Sequence, residues 1–336
     1  MAAQDLKSGT GMVLGKFYPP TLGHRYLVEF ARNYVQDLTV VVGSLRQETI
    51  PGELRLRWMR ELFPDVRIVH LTDENPQFPN EHPDFWQIWH DSLRRLIPHG
   101  PDFVFASEDY GFKLAEVLGA RYVPVDPARA CFPVSGTAVR EAPWKHWNLL
   151  PSCVRPYFLR RICIIGPEST GKTVLAERLA KHYRTVWVPE YARGCIEAHH
   201  GRITADLFEC FLRGQAASEQ ALARQANCIL ICDSDALTTS LYYELHIGPC
   251  PDYISAEAAR SHYDFYLVTT PDTPYVADSQ RFHQEKRVWF LERCLEFLKR
   301  RGNRYELVGG SWEERFDQAC CAIDRFIQAQ APSERA

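Results

Sequence analysis

Arg161-Ile-Cys-Ile-Ile-Gly-Pro-Glu-Ser-Thr-Gly-Lys-Thr173 decides half of the fold. The first five residues are a short, apolar, β-rich run. The next eight match GxxxxGK[ST], and Leu175, Ala176, Leu179 and Ala180 then recur at helical spacing. A strand that enters a glycine-bounded loop and leaves it as a helix is the context that gives this pattern meaning. Gly166 and Gly171 let the backbone wrap tightly, so successive N–H groups, those of Glu168, Ser169 and Thr170 among them, face phosphate oxygens at a helix N-terminus. Lys172 then neutralises β- and γ-phosphate charge, and the Thr173 hydroxyl ligates Mg²⁺.

Such a loop needs an acidic partner at the end of a neighbouring strand, and Ile229-Leu-Ile-Cys-Asp-Ser-Asp235 supplies two candidates. Asp233 is the one read as holding the Mg²⁺ shell. Asp235 is read as orienting a metal-bound water or accepting a proton, although either aspartate could instead cap the following helix. Glu190-Tyr191-Ala-Arg193, after another β-like run, places a carboxylate and a guanidinium near an acceptor. Arg281 and Arg287 lie in a polar stretch beyond Thr273-Pro274, and Arg281 is chosen as the cation closing over the γ-phosphate. The loop alone does not separate a kinase from a hydrolase. No guanine-reading NKxD follows the acidic strand, which disfavours a GTPase. Further strands are expected at 265–269 and 305–308, and helices at 205–226, 285–301 and 312–330.

Upstream, a second strand–loop–helix signal begins the chain. Met12-Val-Leu-Gly15 runs into Lys16-Phe-Tyr-Pro-Pro-Thr-Leu-Gly-His24, after which Leu27, Phe30, Ala31 and Tyr34 recur at helical spacing. Strands at 38–42, 66–71, 103–106 and 122–125 alternate with helices at 53–62, 84–97 and 112–118, which argues for βαβ units and a parallel sheet covered on both faces. His24 stands in the first turn of a helix beside Lys16 and Gly23, a suitable place for an anion. Pro133-Val-Ser135-Gly136-Thr137-Ala-Val-Arg140 is another polar turn entering a helix; its hydroxyls and free N–H groups suit a second phosphate pair, with Arg140 one turn on. Pro151 and Pro156 interrupt the junction at 149–159. The expectation is therefore two tandem α/β domains with mainly parallel sheets, at 1–152 and 157–330.

Composition narrows the class. The 336 residues are 24% charged, with a formal net charge of −3, which excludes a generally basic nucleic-acid coat. No apolar run approaches the roughly 20 residues of a membrane span, and the N-terminus lacks a secretory core, so a cytoplasmic protein is expected. The 11 cysteines include no CxxC pair and often sit in apolar runs, reading as buried thiols in a reducing compartment rather than zinc ligands. His199-His200 reads as a solvated pair.

Gly15-Lys16-Phe17-Tyr-Pro-Pro-Thr21-Leu-Gly-His24 resembles the T/HxGH signature of the nucleotidyltransferase superfamily, and Ser135-Gly136-Thr137-Ala-Val-Arg140 resembles its SxTxxR partner. With the second unit's loop, Glu190-Tyr-Ala-Arg193 and Asp233-Ser-Asp235, the chain from about Met12 to Phe326 resembles the bifunctional NadR-type family. That family joins a nicotinamide-nucleotide adenylyltransferase of Rossmann-like fold to a P-loop ribosylnicotinamide kinase. Three departures stand out: Thr21 where members often have His, Val-Ser-Gly-Thr in place of Ile-Ser-Ser-Thr, and Tyr275-Val-Ala-Asp-Ser-Gln-Arg281 in place of Trp-Val-x-Asp-Gly-x-Arg.

The resemblance implies a salvage enzyme in two steps. The ATP γ-phosphoryl passes to the 5′-hydroxyl of ribosylnicotinamide, and the mononucleotide's phosphate then attacks the α-phosphorus of a second ATP to give NAD and pyrophosphate. Gly15, Lys16, Phe17, Thr21, Ser135, Gly136 and Thr137 bind ATP in the first step's successor, with His24 and Arg140 stabilising triphosphate charge; Mg²⁺ serves both reactions. Trp86 and Trp89 offer a stacking face for the nicotinamide cation, or are core; Asp109 and Tyr110 line the same pocket. The partners implied are small molecules, with a homo-oligomer left open. Alternatives are an adenylyltransferase for nicotinate mononucleotide or phosphopantetheine, and a nucleotide sensor with a degenerate kinase half. Some relatives carry an N-terminal helix-turn-helix; about a dozen residues before the first strand are too few for it, so DNA regulation is not expected.

Overall fold

A computed structural model describes residues 7–276 and 284–330. The chain divides into two compact units, Met1–Val154 and Arg155–Ala336. In the first, β1 (Thr10–Gly15), α1 (Leu22–Tyr34), β2 (Asp37–Gly43), α2 (Gly52–Leu62), β3 (Arg67–Leu71), α3 (Phe85–Leu96), β4 (Phe103–Ala106), α4 (Tyr110–Leu118) and β5 (Arg121–Pro124) alternate, and α5 (Gly136–Glu141) follows. The sheet order is β3-β2-β1-β4-β5 with every pair parallel.

The alternation along each strand explains the layers. Val13, Val40, Val42 and Phe105 point to one face and pack with Leu27, Val28 and Ala31 of α1 and Leu56 and Met59 of α2. Met12, Val41 and Val104, one residue out of step, pack on the other face with Leu93 of α3 and Leu114, Ala115 and Leu118 of α4. The chain leaves β1 towards β2 on one side and returns to β4 on the other. The crevice beyond the carboxyl ends of β1 and β4 is thus the place where such a sheet binds ligands.

The second unit comprises α6 (Arg155–Phe158), β6 (Arg160–Ile165), α7 (Lys172–His182), β7 (Trp187–Val188), α8 (Tyr191–Ala198), α9 (Leu207–Ala223), β8 (Ile229–Asp233), α10 (Ala236–His246), α11 (Asp252–Arg260), β9 (Phe265–Thr269), α12 (Arg287–Arg301), β10 (Tyr305–Val308) and α13 (Trp312–Gln330). Its order is β10-β9-β6-β8-β7, again parallel throughout. Ile162, Ile164, Ile231 and Leu267 meet α7 and α13 on one face through Leu175, Leu179, Ala319 and Ile323. Because β6 is central, its loop opens beside the end of β8, where Ile164 lies level with Asp233.

Five cysteines, Cys153, Cys163, Cys195, Cys232 and Cys294, are buried, whereas Cys131, Cys210 and Cys321 are exposed; all are free thiols. Among the described residues no helix is long and apolar enough to cross a membrane, and no cluster of three His, Cys, Asp or Glu could hold a metal.

Candidate active sites

In the second unit, the loop after β6 needs glycine at both ends for reasons visible in the coordinates. Gly166 has φ 144°, and a Cβ there would lie 2.3 Å from the Thr269 hydroxyl oxygen. Gly171 has φ 80°, and its Cβ would run into the Trp312 ring at 2.1 Å. Gly166→Ala should therefore unseat the loop from β9 and weaken binding of a nucleoside triphosphate to this unit at least tenfold, or about 1.4 kcal/mol, with a lower unfolding midpoint in calorimetry as well. Unchanged binding in that variant would mean the loop does not hold phosphates.

Three polar devices hold the loop. Thr170 Oγ1 donates to the Pro167 carbonyl at 2.8 Å and meets the Thr269 hydroxyl at 2.6 Å. Buried Arg315, paired with Asp272, donates to the Thr170 carbonyl at 3.3 Å. Buried Arg287 donates to the Thr273 carbonyl at 3.0 Å and the Ser169 carbonyl at 3.4 Å. Arg287 thus braces the loop's outer turn. Arg281 lies outside the described residues.

Lys172 is buried, its ammonium donating to the Pro167 carbonyl at 3.0 Å inside the curve of the loop. Thr173 Oγ1 donates to Asp233 Oδ2 at 2.6 Å, so two groups 60 residues apart form one oxygen pair. Burial, with the Glu190 carboxylate, raises Asp233 to about 6, against the opposing pull of Lys172, the Thr173 hydroxyl and Arg193. That balance places Glu190, Lys172 and Arg193 around a single carboxylate. Glu168, Ser169, Lys172, Glu190 and Arg193 line a cavity of about 140 Å³, whose apolar wall is Ile196, Phe208 and Phe211.

Asp235 borders this cavity and is also the N-cap of α10, the alternative its sequence position allows: its Oδ1 accepts from the Thr238 N–H and hydroxyl, both at 2.9 Å, and its Oδ2 accepts from Tyr266 at 3.3 Å. Asp233 is the carboxylate beside Thr173. One expectation changes. Tyr191 does not line the cavity; it is exposed, with its ring lying on Gly214 of α9. Sequence reading also passed over Gln215, which accepts from the Tyr191 N–H at 3.1 Å and lines the cavity, and Tyr242. Neither belongs to a motif.

In the first unit, the loop after β1 and the turn before α5 meet. Thr21 caps α1: its hydroxyl accepts from the His24 N–H at 3.3 Å, and His24 Nδ1 accepts from the Thr21 N–H at 3.1 Å. A ring whose Nδ1 accepts carries its proton on Nε2 when neutral. Burial and the Arg129 guanidinium depress His24 to about 4, so at neutral pH the ring is uncharged and its Nε2–H is a donor. Gly136 passes so close that a Cβ would lie 3.4 Å from His24 Cε1. Ser135 caps α5 by accepting from the Ala138 N–H at 3.1 Å. Arg140 donates to the Tyr18 carbonyl at 2.9 Å and lies over the Tyr18 ring at 4.2 Å. Lys16 pairs with Glu48 at 3.0 Å, and Glu48 in turn holds the fully buried Arg55.

Lys16, Tyr18, Thr21, His24, Glu48, Arg129, Ser135, Gly136 and Arg140, with Gly15, Phe17 and Thr137, line a cavity of about 860 Å³. Trp86 and Trp89 belong both to its wall and to the core margin; Trp89 donates to the Pro76 carbonyl at 2.9 Å. Tyr110 lines it too and donates to the Leu14 carbonyl at 2.8 Å. Asp109 does not: it sits exposed at the N-cap of α4, outside the lining.

Comparison with known proteins is consistent with both halves. Residues 161–315 match the family described as AAA domain. The chain is 28% identical over 297 residues to the trifunctional NAD biosynthesis/regulator protein NadR of Escherichia coli (strain K12), covering 82% of this chain and 72% of that protein. It is 27% identical over 292 residues to the protein of the same name from Salmonella typhimurium, covering 81% and 71%. Crystal structures of a NadR protein in complex with NR, and with NAD and AMP-PNP, superpose with TM-scores of 0.77 at 22% and 23% identity over 98% of this chain, a likeness of fold. In sequence over four-fifths of its length, and in fold over nearly all of it, the chain is similar to NadR proteins.

Proposed function

We propose that the protein makes NAD in two steps, phosphorylating ribosylnicotinamide in the second unit and adenylylating the resulting mononucleotide in the first. The observation that carries this reading is two separately built cavities, one lined by Lys172 and one by Lys16, His24 and Arg140, side chains suited to phosphate groups. The curated relatives are named for NAD biosynthesis, which fits both cavities.

In the kinase step, the loop N–H groups and Lys172 hold the β- and γ-phosphates while Arg193 and Glu190 face the acceptor. Glu190 is the carboxylate placed to take the 5′-hydroxyl proton as the oxygen–phosphorus bond forms and ADP leaves. The donor set suits Mg²⁺: the Thr173 hydroxyl and the Asp233 carboxylate are hard oxygens and adjacent, with a second carboxylate, Glu190, near enough to be felt at Asp233. Bound there, the ion would neutralise charge developing between the β- and γ-phosphates.

The adenylyl step needs no base, since the attacking phosphate is already an anion. His24 Nε2–H, Lys16 and Arg140 hold the triphosphate so that the α-phosphorus is in line with the incoming oxygen, and they stabilise the departing pyrophosphate. The tryptophan wall gives the flat nicotinamide cation an aromatic face. Incubation with ribosylnicotinamide and Mg-ATP should yield ADP, pyrophosphate, nicotinamide mononucleotide and NAD on chromatography. Mononucleotide without NAD would remove the second step. Faster turnover of added nicotinate mononucleotide would reassign the acceptor.

A further inference from the structure

Three cationic side chains line the first unit's cavity, and the two sequence motifs account only for Lys16 and Arg140. The third is Arg129, in the loop between β5 and α5. Its position is built. Asp126 and Arg129 both have left-handed φ, 47° and 52°, which non-glycine residues seldom adopt. The Asp126 carboxylate fixes the turn by accepting from the Ala130 and Cys131 N–H groups at 2.8 and 3.0 Å. The guanidinium donates to Glu108 Oε1 at 3.1 Å, and Glu108 lines the same cavity. Arg129 is also the guanidinium whose charge is felt at the His24 ring.

A triphosphate and a mononucleotide phosphate bring more negative charge than Lys16 and Arg140 can offset, the more so because Lys16 is paired with Glu48. A partly exposed ion pair such as Arg129–Glu108 is weak and readily exchanged for a stronger partner. A phosphate beside His24 is such a partner, offering a guanidinium two parallel hydrogen bonds. We infer that Arg129 is a third phosphate ligand of this cavity, parked on Glu108 and passing to the β- and γ-phosphates of ATP, which become the leaving pyrophosphate. The inference rests on the adenylyltransferase reading and adds a residue that neither motif contains.

The test is calorimetric binding of magnesium pyrophosphate to the full chain carrying Lys172→Ala, which silences the second unit's cradle. Adding Arg129→Gln should weaken binding about tenfold or more, the loss expected for a charge-assisted hydrogen bond, and Arg129→Lys should restore part of it. Glu108→Gln, which frees the guanidinium, should tighten binding by a few-fold. Binding within twofold of the parent in Arg129→Gln overturns the inference. Should that variant fail to fold, weaker or unchanged binding in Glu108→Gln overturns it instead. The measurement needs no turnover, so a chain that makes no NAD from the mononucleotide would sink the proposed reaction while leaving Arg129 to be decided by pyrophosphate.

Discussion

Lys172→Met should abolish phosphorylation of ribosylnicotinamide, lowering kcat/KM by about 10²–10³ or more, the scale of removing one preorganised charge from a transition state, while NAD formation from added mononucleotide is kept. The ammonium is buried within the loop and its one described acceptor there is the Pro167 carbonyl. Stability should move the other way, or not at all. A buried ammonium facing a carbonyl carries a desolvation cost that methionine, similar in length and apolar, does not. Loss of phosphorylation with an equal or higher unfolding midpoint would identify Lys172 as functional rather than structural. If both reactions disappeared in a folded protein, the two-cradle scheme would be wrong.

The phosphate loop was readable because everything it needs is contiguous: apolar strand, glycines, lysine, hydroxyl and helix follow one another in 20 residues. Which neighbour faces the site was harder, because it depends on side-chain direction. Asp233 is the last residue of β8 and points to Thr173, whereas Asp235 has extended backbone angles at the start of α10 and turns its carboxylate onto the helix end. Tyr191 fails for a related reason. At the start of α8 its side chain diverges from those of Glu190 and Arg193, which line the cavity while Tyr191 does not. Asp109 and Tyr110 part company in the same way at the start of α4.

Other features had no local signal at all. In α10, Ala236, Leu237, Thr238, Ser240, Leu241 and Tyr243 are all buried, so no polar face marks its period, and the sequence reading did not place a helix there. The buried arginines are the clearest case. Arg315 reaches Thr170 across 145 positions and Arg55 reaches the Lys16 carbonyl across 39. In sequence each is an ordinary charge on a helical pattern; only the closed sheets bring their acceptors to them. Arg129 was overlooked likewise, since its cavity is assembled from elements that are distant in the chain.

His24→Ala should remove NAD formation from the mononucleotide by about 10²–10⁴ and leave riboside phosphorylation untouched. Part of that change is structural and can be separated. The imidazole accepts from the Thr21 N–H in the capping box, so alanine should cost about 1 kcal/mol of stability, far short of the catalytic loss. The pH dependence identifies the working form of the ring. With its pKa depressed to about 4, free His24 is neutral above pH 5, and the kcat/KM profile should show no titration from this residue between pH 6 and 8. The unfolded chain binds a proton at this site below the ordinary value near 6.5 and the folded chain only below about 4, so stability is lost as pH falls through that window. His24→Asn, which cannot be protonated there, should flatten that part of the acid unfolding curve and, as an uncharged donor, retain more activity than alanine. A limb near pH 6.5 that vanished in His24→Asn would instead mean that the charged ring does the work, and the neutral-donor mechanism would have to be abandoned.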